Sequence, residues 1–271
     1  MSPLFPRHSG TAAKEKEGAG AALAHGLAGF LLFIAIWFLA GQYLFSLPAY
    51  LPFAEMLPLP SLKALAGLTV DPKFWTSVLA SLRRVGVGIL CAFVLGLPLG
   101  LLIGFYRRLR LLTNTPIQFL RMVSPLAWMP IALLIFTTFE AAIYFLITVA
   151  TVWPIILNTA VGVGRVRPQW LLMAMNQGAS NRQLITRVLF PATLPYVFTS
   201  LRLALGVAWI VLVPVEFLGV SSGLGYLIND ARDTLEYDRL MALVLAIGAI
   251  GYLLDSAIQL AQRLFHWSWA D

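Results

Sequence analysis

Residues 85–106 read VGVGILCAFVLGLPLGLLIGFY, a run with no Asp, Glu, Lys or Arg. Coiled as a helix at 1.5 Å per residue it spans about 33 Å, enough to cross the ~30 Å hydrocarbon core of a bilayer. Gly88, Gly96, Gly100 and Gly104 recur at multiples of four, so they share one helix face. A face of small residues lets two backbones approach closely and marks a helix–helix contact.

Runs of the same kind lie on either side: 23–47, then about 115–137, 141–163, 192–219 and 239–262. The chain reads as an all-α, polytopic membrane protein with six transmembrane helices. Composition agrees, with 59% hydrophobic and 11% charged residues and a mean hydropathy of +0.83. A soluble domain carries about 25% charged residues, so a water-facing surface is excluded. The net charge of +7 does not point to nucleic acid, because the basic residues sit in short loops between apolar runs. Cys91 is the single cysteine and the three histidines are scattered, which leaves no disulfide and no metal-ligand spacing.

Residues 1–22 are expected to form a disordered cytoplasmic tail, 23–47 the first transmembrane helix, and 48–84 a periplasmic loop. Pro48, Pro52, Pro58 and Pro60 punctuate that loop, and Asp71-Pro72 opens a short amphipathic helix to about Arg84. Arg83 and Arg84 are expected to snorkel at the outer interface. Residues 85–262 form the transmembrane core and 263–271 a cytoplasmic tail. The Lys and Arg bias places both termini in the cytoplasm. Pro98, Pro125, Pro130, Pro154 and Pro214 lie inside apolar runs, and Pro125 with Pro130 predicts an irregular third helix.

The segment between the fourth and fifth spans reads PQWLLMAMNQGASNRQLITRVLFPATLP, residues 168–195. Pro168 suits a first helical turn. Gly178 breaks the helix, and Ser180 with Gln183 forms a capping box for a second one. That helix is expected to end at Pro191 and Pro195. Leu171, Leu172 and Met175 on one helix, with Leu184, Ile185 and Val188 on the other, give an apolar-faced pair at 168–191. Such a pair either docks on a partner or lies on the headgroups.

This segment resembles the cytoplasmic signature of permease subunits of binding-protein-dependent ATP-binding-cassette importers. The signature is Glu-Ala-Ala, three residues, Gly, nine residues, Ile, one residue, Leu-Pro. It is matched by Leu172-Met173-Ala174, then Gly178, then Val188, Leu189 and Phe190-Pro191. The acid and the first Ala are replaced, while the Gly, the terminal Pro and the spacing are kept. Over residues 74–262, phrases such as LRMVSPLAWMPIALLIF, VWPIILNTAVGV and VEFLGVSSGLGYLINDA are similar to the branch serving nitrate, aliphatic sulfonates, taurine and bicarbonate. The resemblance implies a type I (MetI-like) permease fold and no catalysis by this chain. It implies a loop, with Leu172, Met173, Ala174, Gly178, Ala179, Ser180, Arg182, Val188 and Pro191, that docks on a cassette ATPase dimer. It further implies a second permease copy, in a homodimer or a close heterodimer, and a periplasmic or lipid-anchored binding protein docking near Gly219–Asp238, a stretch whose composition is equally compatible with a plain solvated loop. ATP and Mg belong to the partner ATPase, and no cofactor is expected on this chain. No G-x-x-x-x-G-K-[ST] phosphate loop occurs anywhere in it.

Intramembrane polar residues are pathway candidates by default. Arg121 and Arg202 suit an anion path, and both could instead snorkel or pair with Asp255. Glu216 suits an outer-end hydrogen bond or gate. Trp128, Trp153, Asn158 and Trp209 could line a cavity or simply pack. A secondary transporter or channel is the competing class. An intramembrane enzyme lacks the constellation it would need.

Overall fold

The structure, a computed structural model, describes residues 11–264, which are helical throughout with short connections and no strand among them. Residues 1–10 of the expected N-terminal tail and 265–271 of the C-terminal tail lie outside the described residues. Five helices are long and apolar enough to cross a membrane, or six when one bent pair counts as a span.

Helix α1 runs Thr11–Phe45, so residues 11–22 begin a helix rather than a disordered tail. A 3₁₀ segment, Pro48–Met56, and α2, Pro58–Val70, occupy the Pro-punctuated stretch. Each opens on Pro, whose fixed φ and missing N–H are harmless in a first turn. Helix α3 is Pro72–Phe105. The amphipathic helix and the second span expected as two elements are therefore one. Asp71 caps it by accepting the Lys73 N–H at 2.9 Å.

The third span is irregular as its prolines require. Helix α4, Arg107–Leu120, is followed by a break, a 3₁₀ turn at Pro125–Trp128 and α5, Met129–Ile135, bent 88° from α4. Helix α6, Phe139–Arg165, is the central element. Ile143, Ile147 and Ile155 on it are fully buried.

Gly88, Gly96, Gly100 and Gly104 of α3 each face the α6 residue 59 positions later: Ile147, Ile155, Thr159 and Val163. A constant offset means that the two helices run parallel, side by side. A Cβ on Gly100 would stand 2.8 Å from the Ile156 carbonyl oxygen, and one on Gly104 would stand 3.0 Å from that of Ala160. The small-residue face is thus occupied by a neighbouring backbone.

After α6 come α7, Pro168–Asn176, the single turn α8, Asn181–Gln183, and a π-helical turn, Leu184–Leu189. The π turn leads without interruption into α9, Phe190–Gly219. Pro191 does not end a helix. It sits in the second position after the π turn, whose wider spacing relieves the clash of a proline ring with the preceding turn. Asn181–Gly219 is one continuous helix of 39 residues. Helix α10, Leu224–Asp233, and α11, Tyr237–Leu264, complete the chain.

The main core joins α3, α6, α9, α10 and α11 through residues such as Val78, Ile143, Leu212, Leu224 and Leu243. Helix α1 stands largely outside it, with Phe30, Leu31, Phe33 and Leu39 exposed.

Candidate functional site

At one end of the bundle, α7 and the turn after it form a projecting loop. Gln177 ends the helix and Gly178 takes φ +81°, a left-handed conformation that a side chain disfavours. The Gly178 N–H donates to the Met175 carbonyl at 2.9 Å and the Ala179 N–H to that of Ala174 at 3.0 Å. These paired bonds are a Schellman cap. The expected capping box forms next: the Ser180 N–H donates to Gln183 Oε1 at 2.8 Å, and Ser180 Oγ accepts from the Gln183 N–H at 3.4 Å.

The two apolar faces expected on this loop behave differently. Leu172 and Met173 on α7 are 57% and 62% exposed, and Met175 is exposed too. Leu184 and Leu189 are buried instead. Leu189 packs with Leu101 of α3 and with Val163 and Val166, and Ile185 lies against the same cluster. The second helix therefore anchors the loop, and the first presents it. Between them lies a groove of about 370 Å³ lined by Trp170, Met173, Ala174, Arg187, Val188 and Pro191. Residues 165–195 carry Arg165, Arg167, Arg182 and Arg187 and no acidic residue. Arg182 is exposed on the outer side of the capped turn.

At the opposite end of α9 is a second polar centre that the sequence reading divided among unrelated roles. Arg84 does not snorkel: its side chain is 1% exposed, while that of Arg83 is 61% exposed. Arg84 Nη1 donates to Glu216 Oε1 at 2.6 Å and to the Ser222 carbonyl at 2.7 Å. Its Nε and Nη2 face Glu140 of α6. Glu216 also accepts from Ser81 Oγ at 2.8 Å and from the Gly225 N–H at 3.0 Å, and the Leu224 N–H donates to Ser81 Oγ at 2.9 Å. Helices α3, α6 and α9 are thereby tied to the turn that opens α10. Gly223 takes φ +111° at this point, where a Cβ would meet Arg84 Nη1 at 2.6 Å. A lone acid deep in an apolar run needs a partner, and that signal could have matched Glu216 with Arg84.

The seven pathway candidates are not brought together, and Trp153 lies half-buried against Ile103, Ile117 and Ile156. Arg121 lies exposed at the α4–α5 bend, and Trp128 packs against the main core just beyond it. Asn158, half-buried, donates to the Pro154 carbonyl one turn back on its own helix at 2.8 Å. Trp209 is buried between α9 and α11, its Nε1 donating to the Ile247 carbonyl at 3.2 Å. Trp209 and Glu216 therefore face into the bundle of this chain and line no surface of it. Arg202 pairs with Asp255 on α11, leaving both side chains partly exposed.

Comparison with known proteins adds three findings. The family profile described as "Binding-protein-dependent transport system inner membrane component" matches residues 96–268. The bicarbonate transport system permease protein CmpB of Synechococcus elongatus is 38% identical over 192 residues, covering 70% of this chain and 68% of that one. The nitrate import permease protein NrtB of Leptolyngbya laminosa is 37% identical over 185 residues, covering 68% and 66%. Among solved structures, a bacterial ABC transporter involved in the import of the acidic polysaccharide alginate has a chain that superposes with a TM-score of 0.66. That match is 15% identical and covers 93% of this chain and 100% of that one, a likeness of fold.

Proposed function

The chain belongs to the family of binding-protein-dependent transport system inner membrane components, and from that premise we propose that it carries a small oxyanion across the inner membrane. The class is that of nitrate, bicarbonate, sulfonates and taurine. It is a multi-pass, all-α permease of an importer, working with an ATPase and a substrate-binding protein. The finer reading is as follows. Two copies of this chain form the permease, and the ATPase holds ATP and Mg. The α7 loop and both termini lie on the cytoplasmic side. The binding protein meets the opposite end, near the α9–α10 turn, and lipid covers the exposed apolar faces.

The observation that supports this reading best is the α7 loop. A capped, rigid turn holds Leu172, Met173 and Met175 in the open, and the helix behind it runs unbroken into a membrane span. Ala174, Ala179 and Val188 sit behind this surface, half-buried. A segment lying on headgroups would not need its second half anchored in the core. An ion-coupled carrier built on inverted repeats would show paired broken helices. The described residues contain one bent pair, Arg107–Leu120 with Pro125–Ile135.

The test is retention of the co-expressed cassette ATPase by the purified chain. Nothing stands within 4 Å of a Cβ on Gly178, so a substitution there acts through backbone conformation. Gly178→Val should lose the ATPase, whereas Gly178→Asn, which tolerates a positive φ, should keep much of it. A wild-type chain that never retains the ATPase would end the reading.

A further inference from the structure

The Arg84–Glu216 and Arg202–Asp255 ion pairs both join helices of this bundle, and they differ in exposure. Arg84 and Glu216 are sealed from solvent. Arg202 and Asp255 are 41% and 37% exposed, although they lie at membrane depth. Arg202 is 12 residues into the 30-residue α9, and Asp255 is 9 residues from the end of the 28-residue α11. At 1.5 Å per residue, a ~30 Å core centred on either helix places the pair about 8–11 Å inside it. A half-open ion pair at that depth is costly against hydrocarbon and natural beside water.

The pairing is a fork. Arg202 Nε donates to Asp255 Oδ1 at 2.6 Å and Nη2 to Oδ2 at 2.9 Å. A guanidinium offers the same two parallel N–H groups to any planar two-oxygen face, carboxylate, nitrate or bicarbonate alike. The amide of Gln259, one turn on from Asp255, donates to Oδ2 at 2.7 Å. Asp255 therefore has a second holder on its own helix. Beside Arg202 the exposed stripe of α9 continues with Thr199, Leu203 and Gly206, and nothing lies within 4 Å of a Cβ on Gly206.

We propose that Arg202, Asp255 and Gln259 form a charge-neutral station on a water-filled path. A passing oxyanion replaces the Asp255 carboxylate on the Arg202 fork, while Gln259 keeps hold of the displaced carboxylate. No covalent bond changes. Asp255 is the resident stand-in for the cargo, and it returns to the fork when the anion leaves. This gives the cation needed to admit an anion without leaving a bare positive charge to trap it. The proposal rests on the permease reading above, and its test does not depend on ATP hydrolysis.

The full chain carrying Cys91→Ala and Gly206→Cys is placed in sealed vesicles of both orientations. Labelling rates are compared for an anionic methanethiosulfonate (the 2-sulfonatoethyl reagent) and a cationic one (the 2-trimethylammonioethyl reagent). Both should react, at similar rates, because the pair is neutral. Asp255→Asn should raise the anion-to-cation rate ratio on the order of tenfold by exposing the guanidinium. Arg202→Gln should lower the ratio, so the idea stays testable even when Asp255→Asn fails to insert. The double variant should restore the parent ratio. No labelling by either reagent would overturn the water-lined path, and a ratio unmoved by both single variants would overturn the exchange. Either result leaves ATPase retention untouched, so loss of the permease reading shows separately in the pull-down.

Discussion

Arg84 and Glu216 stand 132 residues apart in sequence and 2.6 Å apart in space, both sealed from solvent. Taking Arg84 away leaves Glu216 as a buried charge without its cation. Arg84→Met should lower stability by about 3–5 kcal/mol, and Arg83→Met, at an exposed position, by about 1 kcal/mol or less. Thermal unfolding in detergent measures both. Equal losses from the two variants would show that the sealed pair carries no special weight.

Helix α3 supplies a matched pair of glycines. A Cβ on Gly100 would press on the Ile156 carbonyl oxygen and Thr159, whereas one on Gly86 meets nothing within 4 Å. Gly100→Ala should destabilise by roughly 1–3 kcal/mol through overpacking. Gly86→Ala should be neutral or stabilise by up to about 1 kcal/mol through helix propensity. The same unfolding assay reads both, and a stable Gly100→Ala variant would contradict the close parallel packing of α3 on α6.

Ser180→Ala removes one half of the capping box, worth about 1 kcal/mol at a helix start. The effect should stay local. Amide exchange over 181–186 should rise several-fold, while α6 and the body of α9 keep their protection. A change spread along all of α9 would mean that the cap holds more than its own turn.

The glycine ladder of α3 was legible because its four-residue spacing has only one structural use in a membrane helix. So were the bend at Pro125 and Pro130, the break at Gly178 and the box at Ser180, each of which is a local rule written in local residues. What escaped depends on residues far apart. Arg83-Arg84 looks like an interface doublet until Glu140 and Glu216 arrive from 56 and 132 residues away. The join between the short helix and the second span was hidden by the same two charges, which seemed to mark the membrane's edge. Pro191 was read as a stop because the π turn that accommodates it has no sequence signature of its own. Leu184 and Val188 were grouped by helical spacing, yet Leu184 is buried and Val188 only half-buried at the groove.

Asn181–Gly219 is one helix of 39 residues, about 58 Å from end to end. Its first turns belong to the projecting loop, and Glu216 near its last turn is bound to α3 and α6 through Ser81 and Arg84. Such an element is a lever with a loaded end and a clamped end. A tilt of about 5° imposed at the loop moves that end by roughly 5 Å relative to the clamp. Under the proposed function, work done on one face of the membrane would reach the other along a single strand of backbone, with the Arg202 fork riding on the arm between them.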